Sequence, residues 1–329
     1  MTKTEISILA VLREHQQEII GSRQIMRGLV SFGITLTERT IRYHLKIMDE
    51  KGLTKVFGKN GRKITDKGLD ELLNSNVSER VGFIGSKIDS LSFMSDFDCA
   101  TQSGKVVLNV SMFPTSEAAG ARKVLSRAFD SSYVMSDRVM VVPEGGQIGN
   151  TLIPEGMIGL GTICSVTVNS ILLKNGIPIA SKYGGLMEVA PEDGPVRFTS
   201  LISYDGCSLD PLIVFIKSAM TSVGRVLNRE HGNVLASFRE IPAACISKTR
   251  VIQDRLHEMG IKGLLLIGSP DNSLLEVPVG PDKAGVVVIG GLNTVASLYE
   301  QGIQVDSHAM SELVEYGDLE KFDEAFRSV

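Results

Sequence analysis

Residues 159–177, GLGTICSVTVNSILLKNGI, and residues 285–303, GVVVIGGLNTVASLYEQGI, carry one pattern twice. Each opens on an apolar run of strand length, passes through a turn of small residues and continues into a helix that stops on Gly-Ile. The match runs outward toward the N-terminus. Ile153-Pro154-Glu155-Gly156 parallels Val277-Pro278-Val279-Gly280, and Gly104-Lys105-Val106 through Pro114 spans the same interval as Gly232-Asn233-Val234 through Pro242. Arg122 and Arg127 fall on Arg250 and Arg255 at a constant offset of 128. Each copy reads strand, turn, amphipathic helix, then a second strand, 138–142 in one and 263–267 in the other. These registered blocks define an internally duplicated α/β body with repeats over about 104–178 and 232–304. Two related lobes about a pseudo-two-fold axis, with a cleft between them, are expected.

The small-residue turns are the first candidate site. A helix N-terminus presents unpaired N–H groups and the positive end of a dipole, so such turns bind anions. The first turn offers Gly161, Thr162, Cys164 and Ser165, the second Gly290, Gly291, Asn293 and Thr294. Small residues also let a strand and a helix pack closely, and either turn alone carries both readings. Two turns facing one cleft would match a ligand with an anionic group at each end, a small dicarboxylate. Between the copies, residues 179–212 (IASKYGGLMEVAPEDGPVRFTSLISYDGCSLDPL) have no counterpart of equal length. They read as Gly-rich loops carrying Lys182 and Arg197, either of which could clamp a carboxylate or be merely solvated. Asp210-Pro211 then opens a packing helix through Leu212, Phe215, Ile216 and Met220.

Ahead of this body lies a segment of opposite charge. Residues 1–77 hold 13 Lys/Arg against 9 Asp/Glu, whereas the rest holds 21 against 29. The sign changes at Asn74-Ser75-Asn76-Val77-Ser78, a polar run that reads as a linker and sets domains of 1–77 and 78–329. A first helix is expected from a cap at Thr4 to Gly21, with Ile6, Leu9 and Leu12 on one face. Ser22 is expected to cap a second, with Ile25, Met26 and Leu29 inward, ended by Ser31-Phe32-Gly33. The third, TERTIRYHLKIMDEKG over 37–52, starts on Thr37, buries Ile41, Leu45 and Met48 and closes on Gly52. Its outer face holds Arg39, Thr40, Arg42, Tyr43 and Lys46, side chains that reach phosphates and base edges in a major groove.

A hairpin follows: strand 53–57, turn 58–61 and return strand 62–65. Lys59, Arg62 and Lys63 make it basic, Asn60 beside them is a further candidate DNA contact, and Asn60-Gly61 would supply the positive φ values of the turn. Helix plus wing describe a winged helix-turn-helix that binds double-stranded DNA; a protein-binding winged helix is the alternative, and salt dependence separates them. The short helix after Thr65, with Leu69, Leu72 and Leu73, belongs to that core. One recognition helix per chain implies a homodimer or higher oligomer on a roughly palindromic operator.

Composition narrows the class further. With 43% hydrophobic and 22% charged residues in 329, the chain is globular and long enough for two or three domains. The longest uncharged stretch, 156–173, contains Gly, Thr, Ser and Asn and reads as buried strand, turn and helix rather than a membrane span. Lys3, Glu5, Arg13 and Glu14 interrupt the first residues, so no signal peptide is visible. The four Cys (Cys99, Cys164, Cys207, Cys245) form no CxxC and the five His are scattered, so neither a metal nor another cofactor is expected. A cytoplasmic location fits.

The body resembles the NrpR regulatory domain of nitrogen-responsive transcriptional repressors, best known from methanogenic archaea. The stretches that carry the resemblance are PEGMIGLGTICSVTVNSILLKNGIPIASKYGGLMEV from Pro154, PVRFTSLISYDGCSLDPL from Pro195, REIPAAC from Arg239 and VVVIGGLNTVASLYEQGI from Val286. With an N-terminal winged helix this is the family's domain order. The resemblance implies a homo-oligomeric repressor of nitrogen-assimilation genes, bound to palindromic operators and released by 2-oxoglutarate. Many relatives carry two regulatory domains; this chain has one.

Two alternatives remain open at this level. One is a repressor that senses another small anion or metabolite; a nucleotide has little support, because Gly290-Gly291 lacks the full GxGxxG pattern and no P-loop is present. The other is an enzyme: Cys164 at a helix N-terminus of a duplicated body suggests racemases with two opposed cysteines. Gly290 occupies the aligned position in the second copy, which denies that enzyme its partner.

Overall fold

The expected third helix forms over Glu38–Glu50 with Ile41, Leu45 and Met48 fully buried, and the N-terminal unit is built around that apolar stripe. The structure, a computed structural model, describes residues 2–15, 18–30, 32–73 and 83–328. The expected linker at 74–78 and the boundary between 77 and 78 lie outside them, as does Ser31. The chain divides into two compact units, residues 1–90 with 206–208 and residues 91–205 with 209–329.

In the first unit, α1 (Lys3–Glu14) is capped by Thr2, not Thr4. The reason is the capping box: the Thr2 hydroxyl accepts from the Glu5 N–H at 3.2 Å while the Glu5 carboxylate accepts from the Thr2 N–H at 2.9 Å. Only Thr2 has a Glu three residues on. The helix ends at Glu14 rather than Gly21, because Ile20 is needed in extended form to exchange backbone hydrogen bonds with Arg62, at 3.2 and 3.0 Å. Helix α2 (Ser22–Val30) buries Ile25 and Leu29. Ser22 lies inside it and donates its hydroxyl to Glu38 at 3.0 Å instead of capping. The Thr37 hydroxyl caps α3 (Glu38–Glu50), and Gly52, at φ +72°, turns the chain out of it.

Strands β1 (Thr54–Val56) and β2 (Arg62–Ile64) form the wing, and α4 (Asp66–Leu73) buries Leu72. The wing's positive φ values fall on Gly58 (+59°) and Gly61 (+134°), not on Asn60. Gly58 starts a turn closed by Asn60 N–H donating to Phe57 C=O at 3.1 Å. Gly61 is required by the neighbouring strand, since a Cβ there would sit 2.3 Å from the Ile20 carbonyl oxygen. Helix α5 (Ile84–Met94) runs across the division between the units.

The second unit repeats itself in three dimensions. The first copy runs β3 (Lys105–Pro114), a 3-10 turn, α6 (Ala118–Phe129), β4 (Arg138–Val142), a small hairpin β5 (Gln147–Ile148) and β6 (Thr151–Leu152), β7 (Met157–Ile163), α7 (Val166–Lys174) and β8 (Ala180–Ala190). Inserted next are β9 (Gly194–Ser203), α8 (Pro211–Lys217) and α9 (Val223–Leu227). The second copy runs β10 (Gly232–Pro242), a 3-10 turn, α10 (Ile246–Glu258), β11 (Leu264–Ile267), β12 (Lys283–Ile289), α11 (Asn293–Glu300) and β13 (Asp306–Glu315), with β14 (Glu320–Lys321) and α12 (Phe322–Ala325) closing the chain. The first strand, 3-10 turn and start of the first helix correspond at an offset of 128. Gly176 and Gly302, both in the left-handed region, end α7 and α11 alike.

The strand order shows what a linear repeat does not. The sheets are β13-β3-β7-β4-β14 and β11-β12-β10-β8-β9, all antiparallel. The last strand of each copy therefore pairs with the first strand of the other: β8 with β10, and β13 with β3. Residues 180–203, read as Gly-rich loops, are instead the long β8–β9 hairpin. Gly184 and Gly185 serve close packing there, as a Cβ would fall 2.8 Å from Pro211 Cβ and 2.6 Å from the Ser200 carbonyl oxygen respectively. Asp210 caps α8 as expected, with Leu212, Phe215 and Ile216 buried, but the helix ends at Lys217 and Met220 is exposed. One apolar core joins both copies.

Equivalent side chains do equivalent work in the two lobes. The Thr167 hydroxyl sits between the N–H and C=O of Val107, at 3.1 and 3.3 Å, and the Asn293 amide between those of Leu235, at 2.8 and 3.0 Å. Both clamp the start of a helix to the first strand of its own copy.

Two measurements follow from these contacts. Burial drives the Glu5 carboxyl up, but hydrogen bonds from the Thr2 N–H and the Lys51 ammonium outweigh it and hold it below the ordinary carboxylate value. The folded carboxyl thus titrates below the unfolded one, so its stabilisation is complete above the unfolded pKa of about 4.3 and is lost as pH falls through the folded value. Glu5→Gln should flatten the acid limb of amide-exchange protection in α1 between pH 6 and 3; an unchanged limb would contradict this. In the second unit, Thr167→Val and Asn293→Ala each strand buried backbone groups. Urea denaturation should give losses of about 1–3 kcal/mol, larger for Asn293, whose amide also donates to Tyr133 C=O at 3.0 Å.

Candidate functional site

The N-terminal unit aims a basic helix outward. Because Ile41, Leu45 and Met48 face the core, Arg39, Arg42, Tyr43 and Lys46 are exposed and Thr40 is half-exposed on the opposite side of α3. Tyr43 is 64% exposed, a large aromatic surface outside the core that meets only the edge of the neighbouring His44 ring among the ring contacts of the described residues. The Arg42 guanidinium lies 2.5 Å from Glu38 and Arg23 3.3 Å from the same carboxylate. Hydrogen bonds from Ser22, then from Arg23 and Arg42, hold Glu38 below the usual carboxylate range. Glu38 is thus a fixed negative anchor at the helix N-terminus that orients two arginines, a role the sequence pattern did not reveal.

In the wing, Lys59 and Asn60 are exposed at the turn and Lys63 is half-exposed. Arg62 departs from the expectation. Its guanidinium pairs with Asp49 at 2.9 Å, and Asp49 also accepts from Thr54 Oγ1 at 2.5 Å, so Arg62 ties the wing to α3 from a half-buried position. It holds the wing in place rather than reaching out from its tip. Lys55 adds an exposed ammonium 5.7 Å from the Phe57 ring centroid.

In the second unit the two small-residue turns meet each other instead of lining an open cleft. The Thr162 hydroxyl donates to the Gly291 carbonyl at 3.0 Å. A Cβ on Gly291 would lie 2.5 Å from the Ile163 carbonyl oxygen and 3.2 Å from Cys164 Cα, so glycine is what allows the lobes this contact. Cys164, Ser165, Asn293 and Thr294 are all buried. Gly161 lies within β7, packed against Leu108 and Met140. Beside the contact is a cavity of about 10 Å³, room for one water, lined by Thr162, Gly290, Gly291, Asn293 and Thr294 among others. The Thr294 hydroxyl is buried there without a hydrogen-bond partner. Asn293 is committed to Leu235 and Tyr133, so its amide is structural.

Lys182 and Arg197 are not brought to these turns. Lys182 pairs with Glu240 at 3.5 Å, and Arg197 pairs with Glu188 at 2.6 Å, where His231 also lies 2.8 Å away. The first case follows from the β8–β10 register, which slips at Lys182: Ser181 faces inward to Asn169, accepting from its Nδ2 at 3.0 Å, while Lys182 is left out of the pairing and reaches Glu240.

The residue that sequence reasoning passed over is Arg239. It lies on β10 opposite Ser181, is 1% exposed, and donates from Nη1 to the Ser165 carbonyl at 3.0 Å and to the Asn169 side-chain oxygen. Burial lowers its pKa to about 10, and nearby Tyr204 and Cys164 act in the opposite direction. Burial, then Asp210, pushes the Tyr204 hydroxyl well up. The signal was available: Arg239 follows the run Val234–Phe238 as the one basic residue of β10, and its counterpart 128 residues earlier is Ser111. Matching backbone bonds, Cys164 N–H to Val107 C=O and Gly290 N–H to Leu235 C=O, make Gly290 the counterpart of Cys164, so the opposed-cysteine arrangement has only one member.

Comparison with known proteins agrees with this architecture. The family model for NrpR regulatory domains NRD1 and 2 matches residues 81–321, and that for the ribonuclease R winged-helix domain matches residues 6–72. The chain is 34% identical to the global nitrogen regulator NrpRI of Methanosarcina mazei, over 96% of this chain and 97% of that protein. It is 32% identical to the global nitrogen regulator NrpR of Methanococcus maripaludis over 98% of this chain but only 56% of that protein, so it spans about half the length of that relative. A crystal structure of a nitrogen repressor-like protein from Methanococcus jannaschii matches 74% of this chain and 100% of its own, with a TM-score of 0.62 and 30% identity. Among the described residues no helix is long and apolar enough to cross a membrane, and no group of three or more His, Cys, Asp or Glu could hold a metal ion.

The division of roles on the winged helix is testable. Arg39→Ala or Lys46→Ala should weaken binding to duplex DNA and reduce its salt dependence while leaving the melting temperature unchanged. Arg62→Ala should lower the melting temperature, because Asp49 loses its cationic partner and the wing its tie to α3. Equal thermal loss in all three would refute the assignment.

Proposed function

The chain belongs to the family built on NrpR regulatory domains, and from that membership we propose that it is a DNA-binding transcriptional regulator, a repressor of nitrogen-assimilation genes released by 2-oxoglutarate. The observation that carries the DNA half is the outer face of α3, where Arg39, Arg42, Tyr43 and Lys46 stand exposed above a fully buried stripe. Arginine and lysine on such a face serve phosphate attraction and base readout in the major groove, and Lys59, Asn60 and Lys63 of the wing extend the contact along the backbone. A homodimer would place two such helices on the halves of a palindromic operator, in the cytoplasm.

The effector half rests on the second unit. A ligand weakens DNA binding only through different affinity for two arrangements of the protein. The Thr162–Gly291 contact is a joint of that kind: it is made of small residues, it closes the two lobes on each other, and a dicarboxylate would bind only where it is open. A sensor rather than an enzyme is the reading that the relatives named global nitrogen regulators support.

Fluorescence anisotropy on a palindromic fragment from its own promoter region tests both halves. Binding should fall with rising salt, and 2-oxoglutarate, but not glutamate, should weaken it by about 5- to 150-fold. Salt-sensitive binding indifferent to 2-oxoglutarate would keep the regulator and remove the effector; salt-insensitive binding would remove the DNA reading.

A further inference from the structure

A guanidinium buried to 1% exposure without a carboxylate partner is an unbalanced charge. Its pKa, lowered only to about 10, keeps Arg239 protonated at neutral pH. Buried charges are ordinarily paired, because removal from water is costly unless an opposite charge compensates. The groups that receive Arg239 are neutral, the Ser165 carbonyl and the Asn169 amide oxygen, and among the described residues no Asp or Glu forms an ion pair with it. Its Nε is buried and has no hydrogen-bond partner.

The duplication provides an internal control. At the equivalent place in the other lobe, Ser111 of β3 lies opposite Ser307 of β13 and the two hydroxyls bond at 2.9 Å. There the crossing of exchanged strands is satisfied by two serines, and Val295 stands where Asn169 stands in the first copy. The fold thus closes this junction without a cation. Arg239 and Asn169 are present in one lobe only, and a requirement of the architecture does not explain them.

We propose that Arg239 is the cationic contact for a carboxylate of a small anionic effector, taken at the Cys164–Ser165 turn where the lobes meet. Arg239 offers Nε, which with Nη2 forms the side-on edge of the planar fork that accepts a carboxylate through two parallel hydrogen bonds. Nη1 holds the fork in place through Ser165 and Asn169. The small cavity at Thr162, Gly291 and Thr294 is lined by neither Arg239 nor Ser165, so a carboxylate reaches the Arg239 edge only when the turns separate at Thr162 and Gly291. This inference rests on the sensor reading above and names the residue that makes the site anion-selective. It also states why the site is one per chain although the fold is double.

The test uses the full chain with Arg239→Met, close in volume and uncharged, and Arg239→Lys, which keeps charge but not the fork. Calorimetry and melting curves are recorded with 2-oxoglutarate, succinate, oxalate and phosphate. Arg239→Met removes an uncompensated charge and with it a donor to the Ser165 carbonyl and the Asn169 side-chain oxygen, two opposed effects on melting, and should lose anion affinity by about 10- to 100-fold. Arg239→Lys should lose about 10-fold or more, because a point charge replaces a bidentate contact. If Arg239→Met fails to fold, the Lys variant decides: unchanged affinity overturns the proposal. Parent and variants binding 2-oxoglutarate equally would overturn this inference and leave the nitrogen-sensor reading intact. Arg239-dependent binding of another anion, with 2-oxoglutarate ignored, would keep the inference and remove that ligand. A parent chain that binds none of the four would end both.

Discussion

Two strands in this protein form their hydrogen bonds away from the copy that supplies them. Strand β8 closes the sheet begun by β10, and β13 closes the sheet begun by β3. Every buried N–H and C=O of β3 and β10 must be paired, and the exchanged strands supply those pairs. Neither copy can complete its sheet alone, so the lobes are held as one body with one core. The helix N-termini are thereby brought against each other, and the contact between Thr162 and Gly291 is a consequence of the exchange.

That arrangement sets the chemistry of the interior. Antiparallel sheets covered on both faces leave long apolar strands, and β3 is buried at eight consecutive positions. A polar side chain in such a setting needs a partner within reach. Thr167 and Asn293 find one in the neighbouring strand, and Ser111 finds Ser307. Arg239 finds only neutral acceptors, although among the described residues of the second unit it is the charged member of the buried polar set. Pseudo-symmetry makes the difference visible, since the same junction is built twice and charged once.

The N-terminal unit follows a different logic. Its buried stripe orients α3, and two acidic residues arrange the cations around it: Glu38 gathers Arg23 and Arg42, and Asp49 fixes Arg62. Cations on the same surface thus differ in kind. Arg62 is spent on internal geometry, whereas Arg39 and Lys46 extend outward. A list of basic residues in a sequence cannot separate these, because the distinction lies in which carboxylate the fold brings near.

By itself the sequence determined the elements and their repetition. Periodicity placed Ile41, Leu45 and Met48 inward, Thr37 as a cap and Asp210 as another, and the fixed offset of 128 disclosed two copies of one strand-and-helix unit. These are local rules, set by spacing along a few turns. Tertiary structure decided what depends on residues distant in the chain. It gave Gly61 its reason in the approach of Ile20 and turned Gly184-Gly185 from apparent loop into strand beneath Pro211. It also turned Ser181 inward while leaving Lys182 out of the β8–β10 pairing, and set Arg239 under the helix of the opposite copy. Which strand completes which sheet is fixed by pairing between residues more than 50 positions apart, as in Arg239 with Ser181, and no local pattern encodes that choice.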